Sequence, residues 1–204
     1  MVDNEAARGL VRETPEVPTT HHDDALTARH GVGSVPDVVY HYSEDGTISR
    51  FVPHVPQTNP SHPPAVWAMD AEHAPLYWFP RDCPRISVWA NDSAQRAILR
   101  DTFETDATRI CACESHWVDG MRRARVYRYA FDGSQFAPWT DAEGQYIAGD
   151  VVTPQSVDLL DDLMGLHAAA EVELRFTPRL GTLMDRMLAS GLPFSFVRIR
   201  DARR

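Results

Sequence analysis

From residue 37 onward, short apolar runs alternate with proline- and acid-rich breaks, and helical periodicity surfaces clearly only near the C-terminus. Val38-Val39-Tyr40-His41-Tyr42, Ala65-Val66-Trp67-Ala68-Met69, Arg85-Ile86-Ser87-Val88-Trp89, Thr108 to Cys113 and Ala124 to Phe131 concentrate β-branched and aromatic residues over short spans, which predicts strands. Tyr146-Ile147-Ala148 with Val151-Val152 predicts a further strand kinked by Gly149, and Pro193 to Ile199 the last one. Pro53, Pro56, Pro60, Pro63 and Pro64 hold the stretch between the first two strands as an extended loop. Asp70 is placed to cap a short helix running through Trp78, Asn91 and Asp92 open one reaching about Arg100, and Ser115 to Arg122 reads as another. Thr153-Pro154 and Thr177-Pro178 each pair a Thr N-cap with a proline at the first helical position. After the second pair, Leu180, Leu183, Met184, Met187 and Leu188 form an amphipathic stripe that Gly191 closes. Asp158, Asp161 and Asp162 then read as a helix face plus turn. Strands outnumber helices and mostly follow one another. The expected fold is therefore α+β: a single domain over 36–204 with a mixed, mostly antiparallel sheet and a few short helices. Residues 1–35 lack either periodicity and read as a disordered leader.

Composition narrows the function. All 20 basic residues are Arg, against 29 Asp and Glu, for a net charge of −9 and a pI near 5.4. That field opposes strong non-specific binding to nucleic acid. The absence of Lys excludes a Schiff-base lysine and a Walker-type phosphate loop, and leaves anion recognition to Arg forks and backbone N–H groups. Three cysteines argue against a disulfide framework, and there is neither an apolar signal segment nor a membrane-length apolar run. A cytoplasmic protein is expected, with no membrane partner; oligomeric state is not legible.

Chemistry concentrates between Trp67 and Arg85, where rings, charges and a thiol share one window, with Tyr40-His41-Tyr42-Ser43-Glu44 upstream. Large rings mixed with charges suit a lined pocket better than a buried layer. Consecutive helical positions diverge by about 100°, so of Tyr77, Trp78 and Phe79 at most two face one ligand. Arg81, Asp82 and Arg85, braced by Pro80 and Pro84, read as an ion-pair corner or an anion fork. Cys83 between the two arginines has a second reading, as the nucleophile of a Cys-dependent hydrolase, beside that of a buried inert thiol. Cys111, Cys113, Glu114 and His116 invite a zinc reading, but the one-residue gap between the cysteines is not usual ligand spacing, and no metal is expected.

The words Tyr40-His41-Tyr42-Ser43-Glu44-Asp45, Val66-Trp67-Ala68, Glu72 through Arg85, and Val151-Val152-Thr153-Pro154 resemble a bacterial family known as domain of unknown function 6886, from about Val38 to the C-terminus. That family name implies a shared fold and no activity. A fainter resemblance is to the ADP-ribosyltransferase-like fold. Tyr40-His41 stands where that superfamily carries its first-strand pair; Val66-Trp67-Ala68 with Ala74 and Tyr77 resembles its second element. Glu143-Gly144-Gln145 resembles its late acidic position. The resemblance implies NAD as a possible ligand and ADP-ribosyl or related phosphoribosyl-group transfer as the activity. His41, Glu143 and Gln145 would be the catalytic positions, and Tyr40, His41, Trp67, Tyr77, Arg81 and Arg85 the cofactor-binding set. Gln145 departs from the pattern, since an uncharged amide cannot offset an oxocarbenium-like charge. The alternative reading is a non-enzymatic module that recognises a small molecule or a peptide through the same aromatic window.

Overall fold

A computed structural model of the chain describes residues 25–27, 34–55 and 62–203. The expected leader thus lies outside the described residues except for 25–27 and 34–35, as do Pro56 and Pro60 of the extended loop. The strands divide into two sheets. The smaller runs in the order β1 (Ala25–Thr27), β11 (Phe194–Val197), β4 (Arg85–Trp89), β5 (Arg109–Glu114), β10 (Glu173–Thr177). All its pairings are antiparallel except β5 with β10, which makes this sheet mixed, as the strand pattern predicts. The larger, wholly antiparallel sheet runs β7 (Ala137–Pro138), β8 (Gln145–Ala148), β3 (Val66–Met69), β2 (Val38–Ser43), β6 (Val126–Asp132), β9 (Ser156–Leu160).

Side-chain alternation sorts these strands into layers. Ile86 and Val88 of β4, with Ile110 and Ala112 of β5, pack on Leu99 and Phe103 of α1 (Ser93–Phe103), on Met187 of α4 (Gly181–Ser190) and on Leu180 just before it. The opposite face of β5 turns Cys111 and Cys113 toward the larger sheet. There they meet Phe79, Cys83, Met121 of α2 (Val118–Arg123), Val126, and Leu163 of α3 (Leu163–Ala169). Beyond the larger sheet a second core gathers Val39, Val66, Ala68, Tyr129, Phe131, Tyr146 and Ala148 against Phe51, Phe136 and Val152. Because β5 is covered on both faces, all six of its residues are buried. Among the described residues no helix is long and apolar enough to cross a membrane.

Helix starts follow the local chemistry in part. Asp92 caps α1 by accepting the Gln95 N–H at 2.8 Å. Asp70 accepts the His73 N–H at 2.8 Å ahead of a single 3-10 turn, Ala74–Tyr77, with Pro75 inside that turn. The Thr-Pro signals give different results. After Thr153-Pro154 no helix forms: Gln155 N–H donates to the Ala130 carbonyl at 2.7 Å, and the chain continues as β9 alongside β6. Asp158 therefore sits on a strand, paired with Arg128 at 2.9 Å, while Asp162 caps α3 by accepting from Gly165 N–H. Thr177 ends β10 and donates its hydroxyl to the Arg179 carbonyl; α4 begins only at Gly181, without a side-chain cap. Val152 does not extend β8; it bridges to Phe51. In the first case cross-strand pairing supplies the backbone partners that a first helical turn would have used; in the second the ladder ends at Thr177 and the helix follows from Gly181.

Candidate functional site

Strands β2 and β3 are joined by one register pair, Tyr40↔Met69. On their outer sides both are fully laddered, β2 to β6 over six pairs and β3 to β8 over four. The larger sheet is thus two laddered halves that meet at a seam of one register pair, with no further ladder pair between 41–43 and 66–68. His41 spans that seam, its Nδ1 2.8 Å from the carbonyl oxygen of Trp67. A carbonyl only accepts, so Nδ1 carries the proton and Nε2 is left as the acceptor of the neutral ring. Burial holds the His41 pKa below its ordinary value, an effect the Trp67 carbonyl only partly offsets.

Rings line both sides of the seam. Tyr42 stacks on Tyr77 at 6.0 Å and 19°. Trp67 forms a corner with His62 at 5.4 Å and Trp139 at 5.1 Å, and the Trp67 Nε1 is buried without a partner in the protein. Burial pushes the Tyr42 phenol well above its ordinary range, so it is a neutral hydrogen-bonding ring at all working pH. Arg81 stands at the rim with its side chain exposed, its backbone N–H donating to Glu44 Oε1 at 2.9 Å. Tyr40 carries the Arg128 guanidinium over its face at 5.2 Å.

Not every residue of the expected set meets here. His41 shares a face with Val39 and packs edge-on against Phe51 at 4.9 Å, whereas Tyr40, Tyr42 and Tyr77 lie on the opposite face. Gln145 lines up with Met69 and Tyr40 across three strands, so it too points away from His41. Glu143 is fastened by Asn91, whose Nδ2 donates to Oε1 at 2.9 Å, on the side of the cluster formed by Met69, Leu76 and Trp89. Arg85 is buried and architectural: Nε donates to the Leu76 carbonyl at 2.8 Å and Nη1 to the Cys83 carbonyl at 3.2 Å, beneath Tyr77 and Phe79. Asp82 pairs with Arg198, at 3.6 Å, instead of closing a corner with Arg85.

The thiol reading is corrected. Cys83 is fully buried, and the adjacent Cys113 thiol first, then burial, push its pKa up; Arg85 opposes this only weakly. A thiol kept protonated and shut from solvent is not a nucleophile. Cys111 and Cys113 do share a face, but Cys111 contacts the Ser87 hydroxyl at 3.3 Å and Glu114 Oε1 accepts the Arg203 N–H at 2.9 Å. Sequence reasoning passed over a second polar group around Trp89, made of Asp70, His73, Asn91 and Arg109. Those residues come from three separate segments, and no local spacing announces their meeting.

Against known families, the chain belongs to the family of unknown function DUF6886, whose model matches residues 40–202. The match spans every element that forms the seam except the first residues of β2. No curated protein and no solved structure matches the chain.

Proposed function

We propose that the seam between β2 and β3 binds a flat, nucleotide-type ligand, with NAD as the leading candidate. The observation that carries this reading is the single Tyr40↔Met69 stitch, with the His41 imidazole reaching across the gap to Trp67. Sheets that open between two strands expose backbone and ring faces to a planar guest. On the face that carries Tyr42, Tyr77 and Trp67, the Tyr42–Tyr77 pair and the Trp67 corner supply aromatic walls and the unpartnered Trp67 Nε1 a donor, while His41, from the opposite face, holds the Trp67 carbonyl across the seam. Arg81 at the rim is placed to meet a phosphate, in a chain whose only cationic side chains besides His are arginines.

Binding is favoured over ribosyl transfer. A transfer step needs a carboxylate beside the developing positive charge, and Glu143 is tied to Asn91 while Gln145 faces away from His41. Titration with NAD, followed by Trp fluorescence, tests the reading. Saturable quenching is expected, with His41→Ala weakening it about tenfold through loss of the part-buried His41–Trp67 hydrogen bond and no nicotinamide released. No quenching at millimolar NAD, or equal behaviour of His41→Ala and wild type, overturns it in favour of a module for another ligand. Release of nicotinamide would restore the transferase reading.

A further inference from the structure

Four side-chain atoms shut off from solvent have no partner within the protein and gather around one indole: His73 Nε2, Trp89 Nε1, Arg109 Nη1 and Glu143 Oε2. The His73 ring meets Trp89 edge-on at 5.3 Å, and the Arg109 guanidinium lies over the same indole at 4.6 Å. The Asn91 bond to Glu143 brings that carboxylate to the strand end two residues past Trp89. Gly144 presses so closely on His73 that a Cβ there would fall 2.1 Å from Nδ1. Each unmatched buried polar group costs about 1–3 kcal/mol, so four in one place call for a common partner.

The donor and acceptor pattern defines that partner. Trp89 Nε1 and Arg109 Nη1 donate. Glu143 Oε2 accepts, and in the neutral ring so does His73 Nε2, because Nδ1 then donates to Asp70 Oδ1 at 2.8 Å. Glu72, Asp70 and Glu143 all act on the one guanidinium, so an added carboxylate would meet like charge and a guest without negative charge is favoured. We propose that this cluster is a second binding site, taking a neutral ligand through a primary carboxamide. The amide oxygen would accept from Trp89 and Arg109, and the amide NH2 would donate to Glu143 and His73. Asn91, which holds Glu143, is exposed, while His73, Trp89 and Arg109 are buried. The Met69, Leu76 and Trp89 cluster lies between it and the Tyr42–Tyr77 face of the seam and touches both, but the inference does not rest on NAD binding there.

Water can satisfy the same four atoms, so the test must separate a carboxamide from water. In 15N-labelled protein the Trp89 indole resonance, assigned with Trp89→Phe, is followed while benzamide or isosteric benzoate is added. Benzamide is expected to move it and benzoate is not; His41→Ala, confined to the seam, should leave this response unchanged even if it abolishes NAD quenching. In Glu143→Gln, Asn91 still holds Oε1 and the new Nε2 donates toward the guest. Benzamide should then bind about tenfold more weakly, and benzoate should begin to shift the signal. An indole unmoved by benzamide up to its solubility limit, or moved equally by benzoate in the wild-type protein, overturns the proposal and leaves a hydrated cluster.

Discussion

At the scale of single residues, the same side chain reads differently once its direction is known. Cys83 sits between two arginines in the sequence, which suggests an activated thiol. In the fold Arg85 turns back to the Leu76 and Cys83 carbonyls, Arg81 turns to solvent, and the thiol faces Cys113. Proximity along the chain was legible; orientation was not. Gly144 shows a requirement that sequence could not reveal at all, because it depends on His73 arriving from elsewhere. With φ at +71° and His73 against its Cα, Gly144→Ala must both adopt a left-handed backbone and displace the imidazole from Asp70. A loss of about 2–4 kcal/mol is expected, read as a lower urea midpoint with unchanged slope. Asp92 was legible from the sequence as the cap of α1, and Asp92→Ala should cost about 1 kcal/mol in the same measurement.

Among elements, long periodic segments were read well and paired signals poorly. The stripe on α4 was visible from spacing alone, and Leu180 and Met187 are indeed buried, yet Leu188 at its edge is 51% exposed. Truncation separates the two situations: Leu180→Ala or Met187→Ala should cost about 2–5 kcal/mol, and Leu188→Ala within about 0.5 kcal/mol of nothing. Equal losses at all three positions would mean that α4 packs on a different face. The strands β9 and β10 and the helix α3 were not anticipated. β9 borrows its order from β6, β10 from parallel pairing with β5, and α3 is held by an Asp162 cap, where the spacing of Asp158, Asp161 and Asp162 suggests a helix face plus turn. Each depends on partners distant in sequence, which a local pattern cannot encode.

For the molecule as a whole, the α+β class and the mixed, largely antiparallel pairing were legible, and the division into two sheets with a seam was not. Burial holds both His41 and His167 below the ordinary histidine value of about 6.5. The unfolded chain therefore takes up protons first as pH falls. Stability from keeping these rings neutral is complete above about pH 6.5 and drains away below it, toward their lowered folded values. The urea midpoint should fall between pH 7 and 5, above the range where carboxylates titrate, and His167→Gln should flatten that slope. A midpoint flat across this interval would show that the rings are not held neutral. The seam makes a second whole-molecule prediction. Amide hydrogens of β2 and β3 that face the seam should exchange faster than those of the same strands that face β6 and β8, since one register pair joins the two strands where the outer ladders have six and four.

The corner where Trp67 meets Trp139 has an optical consequence. Two indoles at 5.1 Å and 68° are close enough, and inclined enough, for their excited states to couple, which gives the near-ultraviolet circular dichroism a signature tied to that edge of the seam. Loss of that band before the far-ultraviolet signal changes would report loosening of the Trp67 corner within the β7-β8-β3 half, while its strands remain folded.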